Sequence, residues 1–325
     1  MTEITRRSFL GKAAVGGAAV TVGGVAAVRY CTRPIPSIDD VDAVASYAND
    51  RILSVIRAKQ NGPMLLYLLR DVHNSKVHSI HCETIKSLNQ YFGANLIGLE
   101  GHVGISTKET ALEYFSMLRD TGIIHPLEKN SAEDQDRKPR KITTLDEFLE
   151  IDPVKQFCFD DRYIVTGLAD EETRRISDPL SKLDKLTTMY VRLSCILTEK
   201  RIYAEDGGVR EKRIYEKVKQ KVEPTLKKFR KGMEERIAKL GLKYPLPDID
   251  AVESPYHPPG AKFQDALQVY WEPIKMGQRS KDAVHKAKYW MEQFKLKQCC
   301  AIFGARHNQQ ITDECDKVGI SYIVF

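Results

Sequence analysis

The sequence predicts an α/β fold, with a mainly parallel central sheet flanked by helices and a long helical insertion. Two short apolar runs, Met64–Leu69 and Leu96–Leu99, show no alternation with polar residues, which is typical of strands buried on both faces. Between them, Val77–Phe92 has helical spacing of its apolar residues and is followed by Gly93, a common helix stop. The three segments form a β-α-β unit, and such units have parallel strands.

The carboxyl-terminal part of the chain repeats this pattern. A helix from Asn308 through Lys317 separates two further apolar runs, and another strand is predicted in the middle of the chain. We therefore expect a sheet of at least five strands, adding to the first two Tyr163–Leu168, Cys299–Phe303 and Tyr322–Phe325.

The predicted insertion covers about residues 176–262. Its helical pattern gives two long helices, Pro179–Tyr203 and Val209–Leu240, broken at Gly207 and Gly208. Between Thr198 and Tyr244 there are 15 Lys or Arg against 8 Asp or Glu, which is +7 (15 − 8) and exceeds the +6 of the whole chain. This charge allows peripheral contact with membrane phosphates. The alternative is a solvated helix face, which the interspersed acidic residues favour.

Composition limits the classes of protein. With 325 residues and 42% apolar residues, the chain can bury a real core. Seven cysteines without a CxxC pair do not form a disulfide framework, and we expect most of them to be small buried apolar residues. The mild positive charge gives no reason to expect a nucleic-acid partner.

The amino terminus carries an export motif. Thr5–Lys12 reads TRRSFLGK and precedes Ala13–Val28, an apolar run rich in Ala, Gly and Val. It resembles a twin-arginine signal, which implies the twin-arginine export machinery as a partner and a periplasmic or other extracytoplasmic location. The apolar run is shorter than the roughly 20 residues of a membrane-spanning helix. We assign residues 1–28 to this signal, either cleaved or kept as an anchor.

The remainder divides into two parts. Residues 29–62 are predicted to be a linker, with prolines in Thr32–Ser37, followed by an amphipathic helix over Ile38–Lys59. Residues 63–325 form the α/β domain.

Polar residues follow the predicted strands at the points where the strands end. Because parallel strands bring their carboxyl ends to one edge, where α/β proteins bind ligands, we expect these side chains to converge. Four of them lie within four residues of a strand end: His73, Glu100, Asp170 and His307.

Three of these positions belong to a wider pattern, in which a His-ending motif follows the first strand, Leu-Glu follows the second, and GxxH precedes the last helix. These are Arg70–His73, Leu99-Glu100 and Gly304–His307. The pattern resembles the TraB/Tiki group, within the clan that includes ChaN-like and erythromycin-esterase-like proteins. The first motif departs from the group's pattern, with Arg70 in place of glycine.

The resemblance implies an α/β core and a metal-dependent, hydrolase-like centre with His73, Glu100 and His307 as ligands. Chemistry agrees, because two imidazoles and a carboxylate can bind Zn²⁺, Mn²⁺ or Fe²⁺ and leave positions open for water. We expect Glu100, Asp71 and Arg306 to be catalytic, with Arg306 holding an anionic or carbonyl group of the substrate.

Other polar residues are expected around the ligands or away from them. Asp71 or Asp170 could take a proton or orient an imidazole, and His102 directly follows the Glu100-Gly101 pair. His78 and His81, three residues apart on a helix, are close enough to share a ligand, but we expect them on its polar face.

Three interpretations of this edge stay open. The first is an exported metal-dependent hydrolase acting on an ester or peptide bond of a small-molecule or peptide substrate. The second is a non-catalytic protein of the same fold that binds a metal or haem. In the third, His73 and His307 only cap helices or lie in loops, and Glu100 neutralises Arg70 or Arg306.

The twin-arginine motif generates a first prediction. Replacing Arg6 and Arg7 together by Lys should leave the protein in the cytoplasm, because the export machinery reads the arginine pair. Cell fractionation and immunoblotting measure this, and Arg29→Lys, outside the motif, is the control that should be exported normally. Unchanged export of the double variant would remove the twin-arginine interpretation.

Overall fold

The predicted α/β fold is confirmed. A computed structural model of the chain describes residues 34–71, 75–121, 142–241, 246–252, 254 and 256–325. The predicted export signal, residues 1–28, lies outside them. Within the described residues the strands form one seven-stranded sheet in the order β1-β7-β2-β6-β3-β5-β4. The strands are β1 (Arg57–Lys59), β2 (Leu65–Asp71), β3 (Leu96–Leu99), β4 (Ile105–Ser106), β5 (Ile164–Gly167), β6 (Gln298–Gly304) and β7 (Ser321–Val324).

The five central strands are parallel, and all five match the predicted strands. The edge strands β1 and β4 run antiparallel to their neighbours and were not predicted. The predicted helix over Ile38–Lys59 was therefore too long, since its last three residues form β1. Edge strands are commonly short and charged, so Arg57–Lys59 lacks the apolar run that marks a buried strand.

Helices cover both faces of the sheet and form the insertion. They include α1, which begins at an Asp40 cap, and α9, which ends at Gly319 in the left-handed conformation that glycine adopts without steric cost. The helices are α1 (Val41–Arg51), α2 (Ser75–Phe92), α3 (Lys108–Thr121), α4 (Leu145–Ile151), α5 (Glu171–Asp206), α6 (Val209–Leu240), α7 (Ala261–Glu272), α8 (Arg279–Gln293) and α9 (Asn308–Val318).

Alternate residues of the central strands pack on opposite helical layers. Leu65, Tyr67 and Leu69 of β2 belong to a core shared with α1 and α2, whereas Leu66 and Leu68 pack with α8 and α9. All five side chains are almost completely buried. This two-sided burial explains why the strand is a continuous apolar run.

The connections around β6 reverse direction across the sheet. The helix α2, which follows β2, packs on one face, and α9, which follows β6, packs on the other. The strand β6 lies between β2 and β3, so its carboxyl end borders a crevice between oppositely placed connections. Crevices of this kind are the usual ligand sites of open α/β sheets.

The insertion has a core of its own, built from α5, α6 and α7. Its two long helices separate at Gly207 and Gly208 as predicted, but α5 begins at Glu171, eight residues (179 − 171) before the predicted start at Pro179. The earlier start follows from Asp170, whose side chain caps the helix. Buried members of this core are Leu180, Leu183, Met233, Phe263, Leu267 and Trp271.

The charged outer faces of α5 and α6 carry ion pairs one helical turn apart. Arg230 Nε lies 3.0 Å from Glu234 Oε1, and Lys219 Nζ lies 4.0 Å from Glu223 Oε1. Such pairs suit a solvated face, and the predicted membrane contact stays a prediction. None of the helices in the described residues combines the length and apolar character needed to cross a membrane.

Close packing of the chain after Glu100 against β5 generates a second prediction. A Cβ atom at Gly167 would overlap the backbone carbonyl of His102, so Gly167→Ala should cost at least about 2 kcal/mol of unfolding free energy. Urea unfolding measures this cost. Gly277→Ala is the control, because a Cβ there meets no atom within 4 Å and alanine favours helix. Equal stability of the two variants would show that this packing is absent.

Candidate functional site

Glu100 is fixed at the carboxyl end of β3 by two charge-assisted hydrogen bonds. Its Oε2 accepts the backbone N–H of Gly304 at 2.7 Å, and its Oε1 accepts Nη2 of Arg279 at 2.7 Å. Leu99 faces the α2 layer, so alternation along the strand turns Glu100 toward α8, where Arg279 lies. The carboxylate thereby joins β3, β6 and α8.

His307 lies on the short turn that follows β6 and is 5% exposed. Its Nδ1 is 2.9 Å from Ser280 Oγ, and that hydroxyl donates its own proton to the carbonyl of Met276. The imidazole must therefore donate from Nδ1, which leaves Nε2 without a proton. This Nε2 lies 3.7 Å from Glu100 Oε1.

The surroundings of His307 keep its ring neutral. Burial lowers the pKa of His307, and the positive charges of Arg279 and Lys275 lower it further, while Glu100 opposes them. At neutral pH the Nε2 lone pair is thus available to a proton or to a metal ion.

The Glu100–His307 pair fits two ligands of one metal ion. An ion about 2.0–2.2 Å from each donor can lie between atoms separated by 3.7 Å. Ser280 holds the other ring nitrogen, as the outer partner of a metal-bound histidine usually does. Among the described residues, however, His, Cys, Asp and Glu form no metal-binding group of three or more. His73, the predicted third ligand, lies outside the described residues.

Asp71 is buried at the end of β2 and bonded to a helix histidine. Its Oδ1 lies 2.9 Å from Nε2 of His78, and β2 pairs Asp71 with Gly304 of β6. His78 and His81 are 7% and 4% exposed, so the expectation that they form a polar helix face was wrong. They occupy the side of α2 that packs against the sheet, where periodicity alone had suggested only apolar residues.

The remaining predicted residues, Asp170, His102 and Arg306, follow the carboxyl ends of β5, β3 and β6. Asp170 accepts the N–H groups of Thr173 and Glu172, which lower its pKa, and lies 3.4 Å from Lys286 Nζ. It also lines, with Gly101 and Arg279, a cavity of about 20 Å³, enough for a water molecule. The His102 carbonyl accepts Ala169 N–H at 2.9 Å. Arg306 is exposed on the turn beside His307.

Sequence reasoning missed Arg279 and Ser280, the residues that hold Glu100 and His307. Both begin α8, directly after the π-helical segment Pro273–Gln278. They carry no motif, and helical periodicity does not show which polar residue of a long helix faces a sheet end. Arg279 is 179 positions from Glu100, so no local spacing could connect them.

Comparison with known proteins adds no identification. No protein-family model, curated protein or solved structure matches the chain. The resemblance to the TraB/Tiki group therefore stays a prediction from the motifs, and function has to be argued from geometry.

The buried His81 generates a third prediction. Burial lowers the pKa of His81 from 6.5 to about 4. Between these two pH values the imidazole therefore stays unprotonated in the folded protein, whereas in the unfolded chain it takes up a proton. The stabilising contribution is complete above pH 6.5 and is lost as the pH falls toward 4, by about 3 kcal/mol for the 2.5 units (6.5 − 4).

Denaturant unfolding of wild type and His81→Leu between pH 7 and pH 4 measures this loss. The variant should lose about 3 kcal/mol less than wild type over that range, since leucine does not titrate. His257→Gln, on an exposed histidine whose ring bonds the hydroxyl of Ser254 and not a carboxylate, is the matched control and should follow wild type. Parallel stability curves for wild type and His81→Leu would contradict the burial argument.

Proposed function

We propose that the chain is an exported, metal-dependent hydrolase of an ester or peptide bond, centred on Glu100 and His307. The observation that carries this proposal is the 3.7 Å approach of Nε2 of His307, a neutral imidazole, to the carboxylate of Glu100. The pair lies at the carboxyl end of β6, in the crevice where neighbouring connections leave to opposite faces of the sheet.

The donor set suits Zn²⁺, Mn²⁺ or Fe²⁺, held by His307, Glu100 and, by the sequence prediction, His73. A bound ion of this kind supplies an acidified water and polarises a carbonyl group. Burial raises the pKa of the Cys82 thiol to about 12, which disfavours a thiolate ligand from that residue.

The protein's own residues orient the ligand side chains and provide charge for the substrate and the reaction. Ser280 fixes the tautomer and the orientation of His307, so that Nε2 faces the cleft. Arg279 places a positive charge beside Glu100, where it can stabilise the negative charge that develops on a carbonyl oxygen during hydrolysis. Exposed Arg306 is available to bind an anionic group of the substrate, whereas Asp71, which was predicted to be catalytic, is bonded to His78 on the α2 side of the sheet.

A non-catalytic metal- or haem-binding protein is the second candidate. It is favoured by the hydrogen bonds of Glu100, because Gly304 and Arg279 already occupy both carboxylate oxygens. A carboxylate engaged in this way can serve as a fixed anion without taking part in turnover. Metal with hydrolysis of generic ester or peptide substrates supports the first candidate, whereas ligand absorption bands without turnover support the second.

The proposed centre generates a fourth prediction. His307→Ala should reduce metal retention at least about 100-fold, because a ligand is lost, and Ser280→Ala should reduce it about 10–100-fold through lost orientation. Glu100→Gln should keep the fold but weaken the metal or stop turnover, because the amide is neutral. Elemental analysis of purified proteins, with hydrolysis of an ester and peptide panel, measures these effects.

The control is His285→Gln, since the exposed His285 bonds Glu314 of α9 and contacts neither Glu100 nor His307 in any described hydrogen bond or ion pair. It should retain metal and activity at wild-type levels. Metal that persists in both His307→Ala and Glu100→Gln would show that these residues are not ligands. Purified wild-type protein that holds neither metal nor haem and takes up neither of them would defeat both candidate functions.

A further inference from the structure

The helix α6 concentrates its positive charge on one side. At about 100° per residue, counted from Val209, eight of its Lys and Arg residues fall within a single sector of about 120°, and all eight are exposed. Those before Pro224 are Arg210, Arg213, Lys217 and Lys221. Those after it are Lys227, Lys228, Lys231 and Lys239. We call these eight residues the basic stripe.

The basic stripe lies opposite the side of α6 that packs on the insertion. Leu226, Phe229, Met233 and Ile237 belong to the core of the insertion or pack against it. On the same angular scale they fall at about 200–280°, on the far side of the helix from the stripe. The stripe therefore faces away from the core, along about 44 Å of helix for the 29 residues (239 − 210) between its ends.

The acidic residues of α6 are separated from the stripe by the rotation of the helix. Of the five Glu residues of α6, only Glu235 falls in the same sector. Glu223 and Glu234 lie outside it and pair with Lys219 and Arg230, which lie outside it as well. Acidic residues that look interspersed in the sequence therefore do not neutralise the stripe, and they no longer favour a merely solvated face there.

The cations of the stripe have no partners of their own. Within the part of the chain that the structure describes, none of the eight side chains forms an ion pair or a hydrogen bond. Arg213, Lys217 and Lys221 follow one another at intervals of four residues, a spacing at which like charges on a helix repel. An anionic partner along the stripe would relieve this repulsion.

The turn between α5 and α6 adds exposed apolar side chains to this surface. Val209, the first residue of α6, is 78% exposed, and Tyr203, in the last turn of α5, is 61% exposed. Apolar and aromatic side chains beside cations are typical of protein surfaces that enter the interfacial layer of a bilayer. A nucleic-acid backbone offers no apolar layer to valine, so these two residues favour a membrane as the partner.

We infer that the basic stripe docks on the surface of a membrane that contains anionic phospholipids. The helix α6 lies along the bilayer, its ammonium and guanidinium groups pair with lipid phosphates, and Val209 and Tyr203 enter the headgroup layer. The surface is separate from the Glu100–His307 centre, and the inference does not depend on the proposed hydrolysis.

Co-sedimentation of the purified full-length chain with vesicles tests the partner. One set of vesicles is phosphatidylcholine alone, and the other contains about 30 mol% phosphatidylglycerol. At about 0.15 M salt the protein should bind the phosphatidylglycerol vesicles at least about 10-fold more tightly. This advantage should disappear at about 1 M salt, where the screening length falls from about 8 Å to about 3 Å.

Variants of the stripe locate the binding surface. Replacing Lys217, Lys221 and Lys228 together by Gln should weaken binding to phosphatidylglycerol vesicles at least about 10-fold, because three charges near the lipid surface are removed. Replacing the same three residues by Arg should leave binding at the wild-type level, because the charge is kept. Circular dichroism and thermal melts establish that each variant is folded.

The matched control removes the same charge from other parts of the chain. It replaces by Gln three exposed lysines outside the insertion: Lys108, Lys281 and Lys295. This variant should bind vesicles like wild type. The predicted export signal is present in every variant, so the difference between the stripe variant and the control reports the stripe alone.

Three vesicle results would overturn the inference. They are equal binding to vesicles with and without phosphatidylglycerol, equal binding by wild type and the stripe Gln variant, and equal losses in the stripe Gln variant and the control. A gel-shift titration with duplex DNA of about 30 base pairs covers the other polyanion. Binding to this DNA that is tighter, per phosphate, than binding to the vesicles would assign the stripe to nucleic acid and would also overturn the inference.

Discussion

The partly buried carboxylate of Glu100 is the constraint on which the arrangement of the site depends. Removing a carboxylate from water is costly unless donors replace the water, and here Gly304 N–H and Arg279 do so at 2.7 Å each. These two bonds connect β3 to β6 and to α8. Because Ser280 directly follows Arg279, the bond that positions α8 also positions the hydroxyl that orients His307. A change at Glu100 therefore acts on the imidazole through the backbone of α8 as well as through space.

The sheet topology supplies the other half of the arrangement. The strand β6 comes late in the sequence but lies between β2 and β3 in the sheet. This order brings Asp71, Glu100 and the turn with His307 to neighbouring strand ends. The alternation of side chains then separates them by face: Asp71 turns to α2 and His78, while Glu100 turns to α8. The same edge consequently holds two buried polar groups, a carboxylate–histidine pair on the α2 side and a carboxylate–arginine–histidine group on the α8 side.

The predictable part of this structure is the part encoded in local patterns. Apolar runs in the sequence predict the five central strands, and the rule that parallel strands align their carboxyl ends predicts that Glu100 and His307 lie close together, as the 3.7 Å between them shows. The edge strand β1 was not predicted, because a charged strand of three residues shows no apolar run and no alternation of apolar and polar residues. Arg279 and Ser280 were not predicted because the rotation of a helix about its axis is decided by packing. The burial of His78 was not predicted because it depends on a carboxylate from another element, Asp71.

The ends of the insertion meet at the same edge as Glu100. α5 starts at its Asp170 cap directly after β5, α8 starts at Arg279, and Lys286 of α8 lies 3.4 Å from Asp170. α5 then runs from this edge into the insertion as one helix of 36 residues, about 54 Å long. A helix of that length, held at its first turn by a cap and an ion pair, takes its direction from the sheet edge.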